Sequence, residues 1–209
     1  MGFRILIALV GAACVVLVYG IYDLSRMQRR MDDAPANFVI GPADADITIS
    51  GFFDYACSPC RAADAALQVA LEKDGRVRYI PRALAGDTPE SARKAKLAYG
   101  AGMLGRFKEA HSLLLNDFRA LDSTREQALA EKLDVPMAEW ETSTNAPPVG
   151  RIIKKNQDLL DFTGAAGSSL SAPVFVISPN LVFRPETGVP LVEQFTRLFQ
   201  DARRMNGAP

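Results

Sequence analysis

Histidine is nearly missing from this chain: His111 is the only one in 209 residues. Cysteine is also scarce, with Cys14, Cys57 and Cys60 making up the whole set. A structural zinc site takes about four Cys or His ligands, so one copy of the chain cannot close such a site, and no metal is expected. An excess of one charge is missing too, since 24 basic residues face 24 acidic ones. Without a basic surplus, nucleic acid is not an expected partner. Repeats and low-complexity tracts are absent, and the composition is that of a globular chain rather than a disordered one. The GxxxxGK[ST] phosphate loop is absent as well. The Gly- and Ser-rich stretch Ala165–Ser171 lacks its lysine and reads as a connecting loop.

One long hydrophobic run is present. Ile5 to Tyr22 gives 18 residues without a charge, close to the ~20 that cross a bilayer. The run is longer than the apolar core of a cleaved signal, and no A-x-A site follows it. Residues 1–24 are therefore expected to be a membrane anchor (or an uncleaved signal) and 25–36 a polar linker. Cys14 sits inside the run and reads as a small residue in the membrane. Gly11 and the continuing apolar residues argue against a lipobox. The flanking charges conflict with the rest: Arg4 lies before the run, and Arg26, Arg29 and Arg30 lie after it. A count of positive charge would leave the C-terminal part in the cytoplasm, whereas stable disulfide chemistry belongs outside it. The thiol motif takes precedence here. The expectation is a single-pass protein of the inner membrane with its domain facing the periplasm.

That motif is Cys57-Ser58-Pro59-Cys60. It lies between an apolar β pattern, Ile47 to Phe53, and a helical pattern that begins at Arg61. Cys57 is thereby placed at a helix N-terminus, where free N–H groups and the helix dipole stabilise an anion. Thiolate is the reactive form of cysteine, so the position favours thiol–disulfide exchange. A structural staple is a poorer reading, because so short a loop gains little entropy from closure. Metal binding by an oligomer and an inert pair remain open on these residues alone.

The rest of the chain reads as two strand groups around a helical block. Asn37–Ile40 is a candidate short strand before the Gly41-Pro42 turn. The helix after the cysteines should run to about Lys73, and Asp74-Gly75 ends it. Arg76–Arg82 alternates as a half-buried strand, with its arginines facing outward. Helical patterns then continue to about residue 163, broken near Gly105, Asp122-Ser123, Asp134-Val135-Pro136 and Ala146-Pro147-Pro148. Pro173–Ile177 and Leu181–Phe183 suit a hairpin, and Val189 to about Arg204 an amphipathic helix. Helices covering a sheet on both faces fit this order.

The run Phe52-Phe53-Asp54-Tyr55-Ala56-Cys57-Ser58-Pro59-Cys60, followed much later by Ser171-Ala172-Pro173-Val174-Phe175-Val176-Ile177, resembles the DsbA-like branch of the thioredoxin superfamily. The similarity covers roughly residues 37–202. It implies an α/β thioredoxin fold spanning 37–205 with a helical insertion at about 86–165, preceded by one N-terminal transmembrane helix. It also implies a periplasmic protein disulfide oxidoreductase that acts on cysteine-bearing proteins, is reset by a membrane redox partner and needs no cofactor. By the same resemblance Cys57 is the attacking nucleophile and Cys60 resolves the mixed disulfide. Pro173 would be a cis-proline facing the pair, and Ala172 would hydrogen-bond an extended substrate segment. The residues alone also allow a trans proline at a strand start.

Two departures from the family pattern matter. Ser58 and Pro59 tune the redox pair, and Pro59 stands where strongly oxidising members carry His. This looks more like the reducing thioredoxins and implies a less stabilised Cys57 thiolate. Gly51 stands where relatives often hold a buried acid. Asp54, the nearest carboxylate, reads as a cap near the strand end rather than a proton relay. His111 and Trp140 read as structural residues of the helical block, and the charges from Asp87 to Lys96 as a solvated face. Two rival functions remain: a tethered thiol reductase or cofactor-maturation factor of the same fold, and a chaperone or binding module whose thiols are incidental.

Overall fold

A computed structural model describes residues 2–117, 119–164, 173–177 and 181–207. Within the first helix, side chains are described at 10–23, 25, 26 and 29–32. The chain folds around four strands, β1 (Ile47–Phe53), β2 (Val77–Ala83), β3 (Val174–Ile177) and β4 (Leu181–Phe183), in the order β2-β1-β3-β4. β1 and β2 are parallel. β1–β3 and β3–β4 are antiparallel. The parallel pair needs a crossover, which α2 (Ser58–Asp74) provides, ending on Gly75 in the left-handed conformation at φ 71°. That turn is open to glycine at little cost and strained for other residues.

Helices α3 (Pro89–Met103), α4 (Phe107–Asn116), α5 (Ser123–Leu133), α6 (Met137–Thr144) and α7 (Pro147–Phe162) form the block between β2 and β3. Its ends fall where the chemistry of the residues puts them. Thr88 caps α3 by accepting from Ser91 N–H, and Asp122 caps α5 by accepting from Arg125 N–H. Asp134 closes α5 at φ 53°, and Pro147 opens α7. Trp140 is fully buried and its indole N–H donates to Leu97 O at 2.9 Å. α8 (Leu191–Met205) returns to the sheet.

One sheet face packs Ile47, Ile49, Tyr79, Phe175 and Ile177 against α2 and α8. The other packs Phe52, Val174 and Val176 against Leu159 and Leu160 of α7 and against Met31. Met31 belongs to the long helix α1 (Gly2–Asp32), which precedes a short 3-10 turn at Ala36–Phe38.

Several expectations change. Asn37–Ile40 is not a strand: it holds the 3-10 turn and a single bridge, Ile40 to Tyr79. β2 is buried on both faces rather than half-buried, because Arg82 is drawn inside. Its guanidinium donates to Ser50 Oγ (2.9 Å), Asn156 Oδ1 (3.3 Å) and the Met31 carbonyl, which offsets the cost of burying the charge. The expected transmembrane helix finds no support: among the described residues, no helix is long and apolar enough to cross a membrane. The first part of the run Ile5–Tyr22 lies outside the described side chains. From Val15 to Tyr19 the described side chains are exposed aliphatic or aromatic ones.

Arg203 ties the end of α8 to both ends of the β1–α2 unit, with 2.9 Å to Asp46 and 2.6 Å to Asp74. The hydrogen bond from Arg203 holds both carboxyls below the ordinary 3.8. A carboxyl lowered by folding adds stability above its unfolded pKa and loses it as pH falls through the folded value. Arg203→Ala should therefore cost about 1 kcal/mol in urea unfolding at pH 7, allowing for solvent screening. The difference should fade below pH ~3.8. An equal loss at pH 7 and pH 2 would mean that the side chain acts through packing alone.

Candidate functional site: a dithiol at a helix tip

β1 ends at Phe53, and the chain then turns into α2 through Asp54-Tyr55-Ala56-Cys57. Asp54 builds this turn. Its Oδ1 accepts from Ala56 N–H at 2.8 Å and its carbonyl from Cys57 N–H at 3.1 Å. Its Oδ2 accepts from Ser91 Oγ at 2.8 Å, so one carboxylate fixes the turn and fastens it to the start of α3. Asp54 thus acts as a clamp at the strand end.

The turn delivers Cys57 as the N-cap of α2, and its Sγ accepts from Cys60 N–H at 3.2 Å. A sulfur in that position meets an unsatisfied helix N–H and the positive end of the dipole. Ser58 and Pro59 form the first turn and are exposed. Pro59 has no N–H to lose there. Cys57 is half-buried and Cys60 is 2% exposed. The two are joined as a disulfide over a Cα–Cα distance of 5.2 Å. Of the two sulfurs, that of Cys57 lies in the more accessible residue. Cys14 is a free cysteine, exposed on α1.

Pro173 is buried and directly precedes β3. The pairing of Phe52 with Val174 sets the start of β3 beside the end of β1, so Pro173 lies at the end of the sheet from which the Cys57 turn leaves. Ala172, its peptide bond to Pro173 and the Ala165–Ser171 loop lie outside the described residues.

A recess of about 180 Å³ opens beside the thiols, between Tyr55, Cys57, Ser58 and Arg61 on one wall and Glu90, Lys94 and Leu115 on the other. Lys94, expected on a solvated face, is instead drawn inside, where its ammonium lies 3.0 Å from Glu90 and donates to Asp117 O at 3.0 Å. Another recess, of about 400 Å³, lies between α1 and α7 and is lined mainly by Arg26, Arg30, Arg151, Lys154 and Lys155. It holds no nucleophile.

Gly51 faces the ring of Phe175 and the ring of Tyr79. A Cβ there would stand 2.8 Å from Phe175 Cε1 and 2.9 Å from Tyr79 Cε2. No acid fits at this place. The buried polar groups near the thiols lie elsewhere, and of these the sequence singles out only His111, read as a structural residue. Tyr55 Oη is 3.0 Å from His111 Nδ1, and His111 Nε2 is 3.1 Å from Asp64 Oδ1. The single histidine, four residues on from Phe107 on α4, was the available signal; its partners are 56 and 47 positions away.

A four-stranded sheet with a crossover helix, a helical block inserted after β2 and a cysteine pair capping the crossover helix together define a thioredoxin-like α/β fold with a disulfide at its helix tip. The chain belongs to the Thioredoxin_4 family, described as thioredoxin, whose model matches residues 33–164. Solved structures with similar folds include a thioredoxin-like oxidoreductase from Silicibacter pomeroyi, at 24% identity and TM-score 0.72 over 87% of this chain and 99% of that one. The thiol-disulfide exchange protein alpha-DsbA2 from Wolbachia pipientis matches at 19% identity and TM-score 0.70, over 84% and 93% of the two chains. The catalytic domain of Proteus mirabilis ScsC matches at 18% and 0.71, over 86% and 96%. Among curated proteins, the Na(+)/H(+) antiporter NhaA 3 of Salinispora tropica is 29% identical over 152 residues. That alignment covers 70% of this chain and 22% of the antiporter, so the chain spans about a fifth of that relative's length.

Proposed function

We propose that this protein exchanges disulfides with cysteine-bearing proteins on the periplasmic side of the inner membrane, with Cys57 as nucleophile and Cys60 as resolving thiol. The observation that carries this reading is the half-buried Cys57 sulfur capping α2 with buried Cys60 one turn behind it. In the oxidising direction, a substrate thiolate attacks Cys57 Sγ, the Cys57–Cys60 bond breaks, and Cys60 leaves with the electron pair. A second substrate thiolate then attacks the substrate sulfur of the mixed disulfide and releases Cys57 as thiolate. The reverse sequence reduces a substrate. In either direction the helix tip stabilises the charge that collects on Cys57.

Ala172 and Pro173 would present backbone groups to an extended substrate segment beside the thiols. Ser58 and Pro59 would set the potential through the first turn of α2. α1 would anchor the domain over residues 1–24, in line with its uncharged run and its exposed side chains from Val15 to Tyr19. Residues 25–36 would join the anchor to the domain at 37–205, with Met31 among them packed on the sheet. A membrane redox partner would reset the pair. One of the fold neighbours is itself described as a periplasmic thioredoxin-like protein, from Salmonella enterica serovar Typhimurium.

With Cys60→Ala, Cys57 should accumulate proteins as mixed disulfides that run as reducible high-mass bands, because the resolving step is gone. A variant that captures no partner, from cells in which the wild type is active, would leave only a binding module. The tethered reductase is the second reading, favoured by Pro59. A reduction potential near −270 mV, roughly that of thioredoxin, would support it, and one near about −120 mV would mark a strong oxidase.

A further inference from the structure

A buried thiol that must attack a mixed disulfide first has to lose its proton, because burial disfavours the thiolate. Cys60 is such a thiol. Asp64 follows it by four residues on α2, so the two lie one above the other on the same buried face. From Asp64 a line of hydrogen bonds runs through His111 to Tyr55, at 3.1 Å and 3.0 Å. All three side chains are buried, His111 to 1% exposure. Tyr55 also lines the recess that holds Cys57, and it packs in the same core cluster as Cys60 and Phe53. At the other end, Asp64 and His111 line a separate recess of about 340 Å³. The two recesses share Arg61 and Leu115 as a wall.

Resting on the roles proposed above for Cys57 and Cys60, we propose that Tyr55, His111 and Asp64 form a proton relay that serves Cys60, with His111 as the proton acceptor and Tyr55 as the intermediary. The neutral ring accepts the Tyr55 O–H at Nδ1 and donates Nε2–H to Asp64, the one tautomer that satisfies both contacts. When Cys60 attacks, its proton passes to the Tyr55 oxygen as the Tyr55 proton passes to His111 Nδ1. The Cys60 sulfur forms its bond to Cys57 Sγ, the bond from Cys57 to the substrate sulfur breaks, and the substrate leaves as thiolate. The imidazolium formed is paired with the Asp64 carboxylate, and its proton can leave through the second recess. In the opposite direction the same proton returns to Cys60 as that sulfur departs.

The surroundings fit this assignment. The groups facing His111 are Tyr55 from the β1–α2 turn, Asp64 and Arg61 from α2, and Tyr79 from β2, with Lys108 on its own helix and Glu72 across the recess. Burial keeps the Tyr55 phenol well above its usual pKa of 10.0, so it always brings a proton to the relay. The Tyr79 hydroxyl is buried without a well-formed hydrogen bond, and the nearby Asp64 charge raises its pKa further. Tyr79 therefore stays neutral, with its hydroxyl close to the same Asp64 carboxylate. The rings of Phe53 and Phe107 hold the imidazole from two sides, at 5.2 Å and 5.9 Å between centroids.

The test is a two-phase reaction of the reduced full chain, in a Cys14→Ser background, with an aromatic disulfide that releases a coloured thiolate at each step. The first release reports attack by Cys57 and the second reports resolution by Cys60. Tyr55→Phe and His111→Gln should each slow the second release at least about tenfold near neutral pH and leave the first within about twofold. The gap should close at high pH, where hydroxide can take the proton directly. Tyr55→Phe removes a single oxygen and decides the matter if His111→Gln does not fold. A second release at the wild-type rate at every pH would overturn the relay. So would an equal slowing of both releases at every pH, which marks a purely structural network. A wild-type chain that releases only one equivalent would instead sink the roles of the two cysteines, and the relay with them.

Discussion

Cys57→Ser should abolish disulfide exchange with protein substrates, a loss of more than about a thousandfold in an insulin-reduction or scrambled-substrate assay, because a neutral hydroxyl cannot replace a thiolate as nucleophile or leaving group. The fold should survive. The serine oxygen is itself a preferred N-cap, so the cap made to Cys60 N–H at 3.2 Å has a substitute, and unfolding of the variant should match that of the reduced wild type within about 0.5 kcal/mol. Activity that survives the substitution would show that chemistry runs elsewhere in the chain.

The second large effect concerns stability. Gly51→Glu would place a carboxyl where relatives of this fold often hold one, and here it should cost about 4 kcal/mol in denaturant unfolding, through overpacking together with an unpaired buried charge. A Cβ alone would meet Phe175 and Tyr79 under 3.0 Å away. Both rings belong to the core between the sheet and helices α2 and α8, so they have little room to give. Gly51→Ala should show the steric part alone, at about 2 kcal/mol. A Glu variant as stable as wild type would mean that the core at β1 is looser than the packing indicates.

Much of this was legible before any coordinates. A β pattern running into Cys57 and a helical pattern leaving Cys60 fix the dithiol at a helix tip, and Gly105, Asp122, Asp134 and Ala146 mark real helix ends. These are local signals, because capping and turn chemistry act over a few residues. What stayed hidden depends on distant partners. Arg82 looked like a solvated strand residue and is buried, because Ser50, Asn156 and the Met31 carbonyl wait for it at separations of 32, 74 and 51 positions. Asp64 sits among alanines on α2 with nothing to single it out, yet it is the acid that holds His111. Asn37–Ile40 had the composition of a strand but makes only one bridge to β2.

The central claim is that the tip of α2 turns Cys57 into a stabilised thiolate beside a buried partner. The rate of iodoacetamide alkylation of Cys57 in the reduced Cys14→Ser chain, followed against pH, tests it most directly. The account predicts an inflection clearly below the value of about 8.5 for a free thiol, lost when the protein is unfolded in urea. An inflection at or above that value in the folded chain would contradict it.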